Sequence, residues 1–181
     1  MTQSSSGTLP DLPGWTSLDN SAAPCQKAGL SNVRFPVNIQ SYNLTAQREI
    51  FDTFATATRE TAEFGNSFIM FEGYSLHAVK AVPSASTAFP HRDDNIIVAP
   101  VIVHTPRPDL DRKAVTLGEE LRQIAWRSSG QKELHAYVNY ASGDEKLENW
   151  YGFESWRLEK LVALKRKYDP KGRFNFYAPI A

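Results

Sequence analysis

Apolar residues recur along this chain with two different periods, and the order of these segments limits the folds available to it. Alternating or continuous apolar runs are typical of strands, and a spacing of three to four residues is typical of amphipathic helices. The predicted strands cover residues 30–39, 67–75, 95–105 and 133–140. The predicted helices cover residues 45–64, 109–129 and 154–168, and an aromatic tail follows them.

This order favours one fold class over another. A doubly wound parallel sheet alternates single strands with single helices, whereas here about one helix follows each pair of strands. Antiparallel strands need no helical crossover, so their helices can gather on one face. We therefore predict an α+β fold, with an antiparallel or mixed sheet that helices cover on one face.

Length and composition suggest how the chain is divided. A chain of 181 residues is within the usual size of one domain. Residues 1–28 are rich in serine, proline and small side chains and show no periodicity. We predict that residues 1–28 form an irregular leader and that residues 29–181 form a single domain.

Charge and hydropathy exclude several classes of function. The 20 basic and 20 acidic residues leave no basic surplus for neutralising phosphates, so we predict no nucleic-acid binding. No apolar run approaches the roughly 20 residues that span a bilayer. The first residues lack the basic and apolar regions of a signal peptide. These features predict a cytoplasmic protein without a membrane partner, and the single cysteine, Cys25, excludes an internal disulfide framework.

The glycine pattern bears on nucleotide cofactors. Phosphate-binding loops use closely spaced glycines so that backbone N–H groups can approach the anion. The 10 glycines of this chain are scattered and form no Gly-x-Gly. We therefore expect no cofactor to be bound by this chain alone through such a loop.

Polar side chains on two predicted strands are candidates for a binding site. Tyr137 and Asn139 share one face of a strand, where a phenol and an amide can converge on one ligand. A hydrogen-bonded row on the sheet surface explains them equally well from spacing alone. Glu72 shares a face with Tyr74 in an apolar strand. It is either a general base with a raised pKa or, as we favour, a carboxylate that faces solvent or the Arg92 loop.

The loop "FPHRDD", residues 89–94, concentrates a histidine, an arginine and two aspartates before an apolar strand. It is typical either of a catalytic or metal-binding histidine or of a structural turn. The other histidines, His77, His104 and His135, stand at no ligand spacing from His91. We therefore favour the turn and predict no metal site.

Several strings resemble a known family. "YVNYAS" and "NWYGFESWRLEKLVALKRKYDPKGRFNF" are similar to the C-terminal signature of the berberine bridge enzyme-like FAD-linked oxidases. "STAFPHRDD" matches that family's Ala-Phe-Pro-His-Arg loop at the expected distance upstream. The resemblance covers roughly residues 66–180, and its berberine-like closing segment is residues 135–181.

The resemblance implies that this chain is a substrate domain, with a large antiparallel sheet that holds substrate over a flavin. The family's FAD-binding domain, with its His and Cys flavin attachments, is expected to be absent from it. A tyrosine on the strand near the flavin often assists removal of a substrate proton in this family. The predicted catalytic residues are Tyr137, Asn139 and Tyr140. The predicted substrate-binding residues are Glu72, Tyr74, His91 and Arg92.

Three functions remain open at this point. The first is a FAD-linked oxidoreductase component that tailors a small secondary-metabolite-type substrate. Its partner would be a separate flavin domain or a second copy, docked on the phenylalanine-rich tail. The second is a cofactor-free cyclase or isomerase, similar to a pericyclase, that reuses the pocket. The third is a non-catalytic binding remnant.

Overall fold

The computed structural model of this chain describes residues 28–180, so Cys25 and almost all of the predicted leader lie outside the described residues. The strands are β1 (Ser31–Arg34), β2 (Val37–Ile39), β3 (Phe68–Glu72) and β4 (Ile96–His104). The helices are α1 (Leu44–Glu60), α2 (His77–Ala81), α3 (Pro108–Arg127), α4 (Leu147–Tyr151) and α5 (Ser155–Tyr168). Single 3₁₀ turns cover Ala62–Phe64, Ser84–Ser86 and Val138–Tyr140.

Strand β4 organises the sheet, because every other described strand pairs with it and all pairings are antiparallel. On one side, β1 pairs with its C-terminal half and β2 with its N-terminal half; on the other side lies β3. The prediction of an α+β fold with an antiparallel sheet is thus confirmed.

Pro100 lies in the middle of β4, a position that proline rarely takes because it cannot donate to the ladder. Its carbonyl accepts a hydrogen bond of 3.0 Å from the Phe35 N–H, so this residue faces the side where β1 and β2 lie. The two strands are interrupted there by Phe35 and Pro36. The missing N–H of Pro100 therefore falls at a gap between strands and costs little.

Helices α1 and α3 pack on one face of the sheet and form the main core with it. The buried residues that they share with the strands include Val37, Ile50, Val98, Ile102, Leu117 and Leu121. The Asn43 side chain caps α1 by accepting a hydrogen bond of 3.1 Å from the N–H of Ala46. No helix among residues 28–180 has the length and hydropathy needed to span a bilayer.

The predicted strand at residues 133–140 is wrong. The backbone N–H groups and carbonyls of this segment bond to two separate elements: His135 O accepts from Asn38 N at 2.8 Å, and Ala136 N donates to Asn149 O at 2.9 Å. Because no single neighbour runs alongside, no ladder forms, and the chain tightens into the 3₁₀ turn Val138–Tyr140.

Helix α3 begins one residue before its predicted start. Its first residue is Pro108, and Arg107, not Asp109, takes the N-cap position. Proline suits the first helical position, where its fixed φ matches the helix and no N–H partner is needed. Asp109 instead forms an ion pair of 2.7 Å with Arg107 at the helix start.

The contact between α3 and the edge of the sheet yields a stability prediction. A Cβ atom on Gly118 would lie 2.0 Å from a ring carbon of Phe35, which is itself buried. We expect Gly118→Ala to lower the free energy of unfolding by about 1–3 kcal/mol, because overpacking outweighs the gain in helix propensity. Urea denaturation checks this, with Gly73→Ala as the control, since nothing lies within 4 Å of a Cβ there. A Gly118→Ala chain as stable as the control would contradict this packing.

Candidate functional site

A cavity of about 480 Å³ lies against the sheet face that points away from α1 and α3. Its floor includes Asn38, Glu72 and Ile97, which occupy one row across β2, β4 and β3. Apolar walls come from Leu76, Val79 and Phe89. The volume is typical of a site for a small organic molecule, and the mixture of apolar walls and a few polar groups is typical as well.

Two phenols converge on the carboxylate at the edge of β3. The Tyr74 hydroxyl donates a hydrogen bond of 2.9 Å to Glu72, and this bond raises the pKa of Tyr74. Burial, with a further hydrogen bond to Glu72, raises the pKa of Tyr140 to about 12. Both phenols therefore stay protonated at neutral pH and act as hydrogen-bond donors. Glu72 lines the cavity and does not simply face solvent.

The 3₁₀ turn decides which side chains of the "YVNY" string reach the cavity. With about three residues per turn, Tyr137 and Tyr140 lie on the same side, and both line the cavity with ring centroids 5.3 Å apart. Asn139 is exposed and does not line it. Its amide donates a hydrogen bond of 2.8 Å to the Tyr137 hydroxyl, which leaves the phenol's own proton available for another acceptor.

His91 and Asp94 reach the cavity wall, and His135 joins them from outside the lining. Asp94 Oδ2 lies 2.9 Å from His135 Nδ1, and the two imidazole rings stack with centroids 4.3 Å apart. His91 Nε2 donates a hydrogen bond of 2.7 Å to the Asn149 carbonyl. Burial, and then the neighbouring His135, lowers the pKa of His91 to about 4. Sequence spacing had shown His135 as isolated.

Arg92 does not line the cavity, in contrast to its predicted role in binding. Its guanidinium donates to the Val79 carbonyl at 3.1 Å and to Thr87 at 2.5 Å, and it lies over the Phe89 ring. These contacts hold two apolar walls in place. Arg92 therefore supports the cavity from behind.

Two residues of the site region were missed by the sequence analysis. Asn38 is 1% exposed on the cavity floor, and its Oδ1 has no hydrogen-bond partner among residues 28–180. Arg157 is 2% exposed and donates to the carbonyls of Ser84 and Thr87 at 3.0 and 2.6 Å. The sequence does mark Asn38, as a single amide between the apolar residues Val37 and Ile39. It does not mark Arg157, because the helix around Arg157 is rich in charged residues, a pattern that predicts a solvent-exposed face.

Comparisons with known proteins agree on one family. Residues 136–181 match the family model described as "Berberine and berberine like". The FAD-linked oxidoreductase chyH of Penicillium rubens is 47% identical over 177 residues, which are 97% of this chain and 35% of that protein. The FAD-linked oxidoreductase chry5 of Gibberella zeae is 44% identical over 176 residues, with the same two shares, 97% and 35%. The chain thus spans about a third of the length of these relatives.

Solved structures show the same fold. Berberine bridge enzyme from Eschscholzia californica matches with a TM-score of 0.63 and 16% identity, over 83% of this chain and 33% of that one. CrmK, a flavoenzyme involved in shunt product recycling in caerulomycin biosynthesis, matches with a TM-score of 0.57 and 18% identity, over 80% and 31%. At these identities the likeness concerns the fold.

The lowered pKa of His91 predicts a pH-dependent stability. Its ordinary pKa of about 6.5 falls to about 4 on folding, so its contribution is complete above pH 6.5 and is lost as the pH falls toward 4. The loss is on the order of 3 kcal/mol at most. In His91→Gln, where the amide can still donate to Asn149, we expect a shallower loss of unfolding free energy between pH 7 and 4. Denaturation series at several pH values measure it, and exposed His77→Gln, the control, should keep the full slope.

Proposed function

Because the chain belongs, over the part that it spans, to the berberine bridge enzyme-like FAD-linked oxidoreductases, we propose that it supplies their substrate-binding part. The reaction would be an oxidative tailoring step on a small organic molecule of secondary metabolism. The identity to fungal FAD-linked oxidoreductases supports this reaction class. The observation that carries the proposal is the cavity in which Glu72, Tyr137 and Tyr140 converge above the sheet.

The cavity favours a particular kind of substrate. Its walls are largely apolar, whereas the carboxylate and the phenols lie together at one end. A flat or alicyclic molecule with one hydroxyl or carbonyl group fits this division, with its polar group at the tyrosines. Asn38 on the cavity floor has an Oδ1 atom without a hydrogen-bond partner among residues 28–180. After a rotation of the side-chain amide, this oxygen could accept a hydrogen bond from a donor group of the substrate.

We assign separate roles to the polar groups at that end. Tyr140, with a pKa of about 12, stays protonated and orients the substrate by donating a hydrogen bond. Tyr137 also orients the substrate as a hydrogen-bond donor, since the Asn139 amide already occupies the acceptor side of its hydroxyl. Glu72 is the group able to accept a substrate proton, because its carboxylate lines the cavity and already accepts a hydrogen bond from the Tyr74 hydroxyl. The base is therefore Glu72, and the tyrosines position the substrate.

The sequence contains no glycine-rich loop of the kind that binds the pyrophosphate of a dinucleotide. No Gly-x-Gly is present to bring backbone N–H groups against an anion. FAD, when bound in the complete enzyme, supplies the acceptor for the electrons of the substrate. We propose that a flavin domain, in the same polypeptide or a separate one, holds it.

The C-terminal tail is the surface on which we place that domain. Phe174 and Phe176 are 79% and 97% exposed, which is unusual for side chains of this size. The tail is tied to the site, because the Tyr177 hydroxyl lies within hydrogen-bonding distance of the Val138 and Ala141 carbonyls. A flavin domain that covers the tail would thus lie beside the tyrosine turn. Self-association through the tail is the alternative. Sedimentation analysis distinguishes the two, because it shows whether the isolated chain forms dimers and whether the assembled enzyme does.

A chimera tests the proposed function. This chain replaces the corresponding third of the Penicillium relative, and anaerobic bleaching of flavin absorbance by that relative's substrate is followed in a stopped-flow instrument. We expect a yellow chimera whose flavin is reduced. Glu72→Gln should slow the reduction about a hundredfold or more, because the proton acceptor is lost. Tyr140→Phe should mainly raise the half-saturating substrate concentration, by about tenfold, because one hydrogen bond is lost.

The control variant is Tyr42→Phe, which removes a hydroxyl from an exposed ring outside the cavity. It should leave both values unchanged. A chimera that holds FAD but is not reduced, while the parent enzyme is, would count against the proposal. Equal rates for Glu72→Gln and the unsubstituted chimera would remove Glu72 from the role of base.

A further inference from the structure

We propose that His91, Asp94 and His135 form a binding site for a divalent transition-metal ion, of the Zn²⁺ type, in the wall of the cavity. The site is independent of the flavin and of the proposed redox step. Two imidazoles and one carboxylate are a common ligand set for first-row divalent metals. The residues come from two segments about forty positions apart, and the fold alone brings them together.

The distances are close to those of a metal site. One ligand atom from each residue lies within 4.8 Å of the other two. Bonds of about 2.0–2.1 Å in a tetrahedral site hold ligand atoms roughly 3.3 Å apart. The pair Asp94 Oδ2 and His135 Nδ1, at 2.9 Å, is hydrogen-bonded and slightly closer than this, so a metal would replace the proton between the two atoms and separate them by about 0.4 Å. His91 would have to approach, by about 1.5 Å at most.

The surroundings prepare His91 for this role. Its Nε2 carries the proton, because it donates to the Asn149 carbonyl at 2.7 Å. Its Nδ1 therefore keeps the lone pair that a metal requires. Metal-binding histidines usually donate their other N–H to a carbonyl or carboxylate, which fixes the ring and its tautomer. The Asn149 carbonyl has this position here.

Charge and burial also favour a cation. Asp94 is 7% exposed and His91 5% exposed, so the carboxylate has little access to water. The side chains that contact the Asp94 carboxylate are His135 and the neutral amide of Gln131. A buried carboxylate needs a compensating charge. A divalent ion bound by Asp94 and both histidines would provide it.

Gln131 supplies an independent observation. Its Nε2 lies 2.5 Å from Asp94 Oδ1, while its Oε1 is buried without a hydrogen-bond partner among residues 28–180. Turning the amide over would place two oxygens at that short distance. A cation bound to Asp94 would remove this repulsion between the two oxygens, because the Gln131 amide oxygen could then bind the metal. Gln131 is thus the candidate for a fourth ligand.

An ordinary ion pair between protonated His135 and Asp94 is the competing interpretation. It accounts for the 2.9 Å contact. It also accounts for His91, which stacks on His135 and donates to the Asn149 carbonyl, but it leaves the Gln131 oxygen without a partner among residues 28–180. The two interpretations differ in what happens when metal is added.

Metal titration of the full chain tests the proposal. The tag-free protein is stripped with EDTA and titrated with Zn²⁺ in a calorimeter, and then with Co²⁺, whose visible spectrum reports nitrogen and oxygen ligands. We expect one ion per chain. Asp94→Asn and His135→Gln should each weaken binding by about a hundredfold or more, and Gln131→Ala by about tenfold. His77→Gln, an exposed histidine away from the cluster, should bind as the unsubstituted chain does.

Three results would overturn the site. They are the absence of saturable binding, binding of one ion that Asp94→Asn and His135→Gln leave unchanged, and loss of binding in His77→Gln. Because His91 is buried, circular dichroism first establishes whether the His91→Gln variant folds. If it does not fold, X-ray absorption spectroscopy of the unsubstituted protein with bound Zn²⁺ counts the nitrogen ligands instead. Two imidazole ligands are expected, and fewer than two would contradict the proposal.

Discussion

The antiparallel pairing of β4 with every other described strand is the interaction on which the rest of the structure depends. Because Ile96–His104 lies at the centre, its two faces must both be covered. One face packs against α1 and α3 and forms the main core. The other face, with Asn38 and Glu72 beside Ile97, forms the floor of the cavity. A single buried strand thus separates the main core, which stabilises the fold, from the cavity.

The C-terminal segment acts as a frame for that cavity. Arg157 holds the loop at Ser84 and Thr87, and the Asn149 carbonyl holds His91. Tyr177 holds the turn that carries Tyr140. Each bond joins a residue of the berberine-like segment to an element that shapes the site. These bonds hold the segment that the family model matches beside the cavity.

Burial gives the polar groups of the cavity different chemical roles. Desolvation and the carboxylate keep the Tyr140 phenol protonated, so it donates, and Glu72 is left as the acceptor. Desolvation also keeps His91 neutral, so it offers a lone pair. The proposed proton transfer and the proposed metal binding therefore use different groups of one cavity. The redox chemistry of the family and the proposed metal site can coexist without sharing a residue.

The sequence by itself determined the strands that precede α3, the three long helices, the antiparallel α+β class, the family, and most residues of the tyrosine end. These follow from local periodicity and from motifs whose members are close along the chain. Only the tertiary structure decided that Asn139 turns onto Tyr137, that Arg92 lies behind the wall, and that Asn38 and Arg157 belong to the site region. It alone brought His135 to Asp94 across 41 positions. The physical reason is that a segment's conformation depends on where its backbone hydrogen bonds go. Residues 133–140 alternate like a strand, but their partners lie in two different elements, and no local pattern records that.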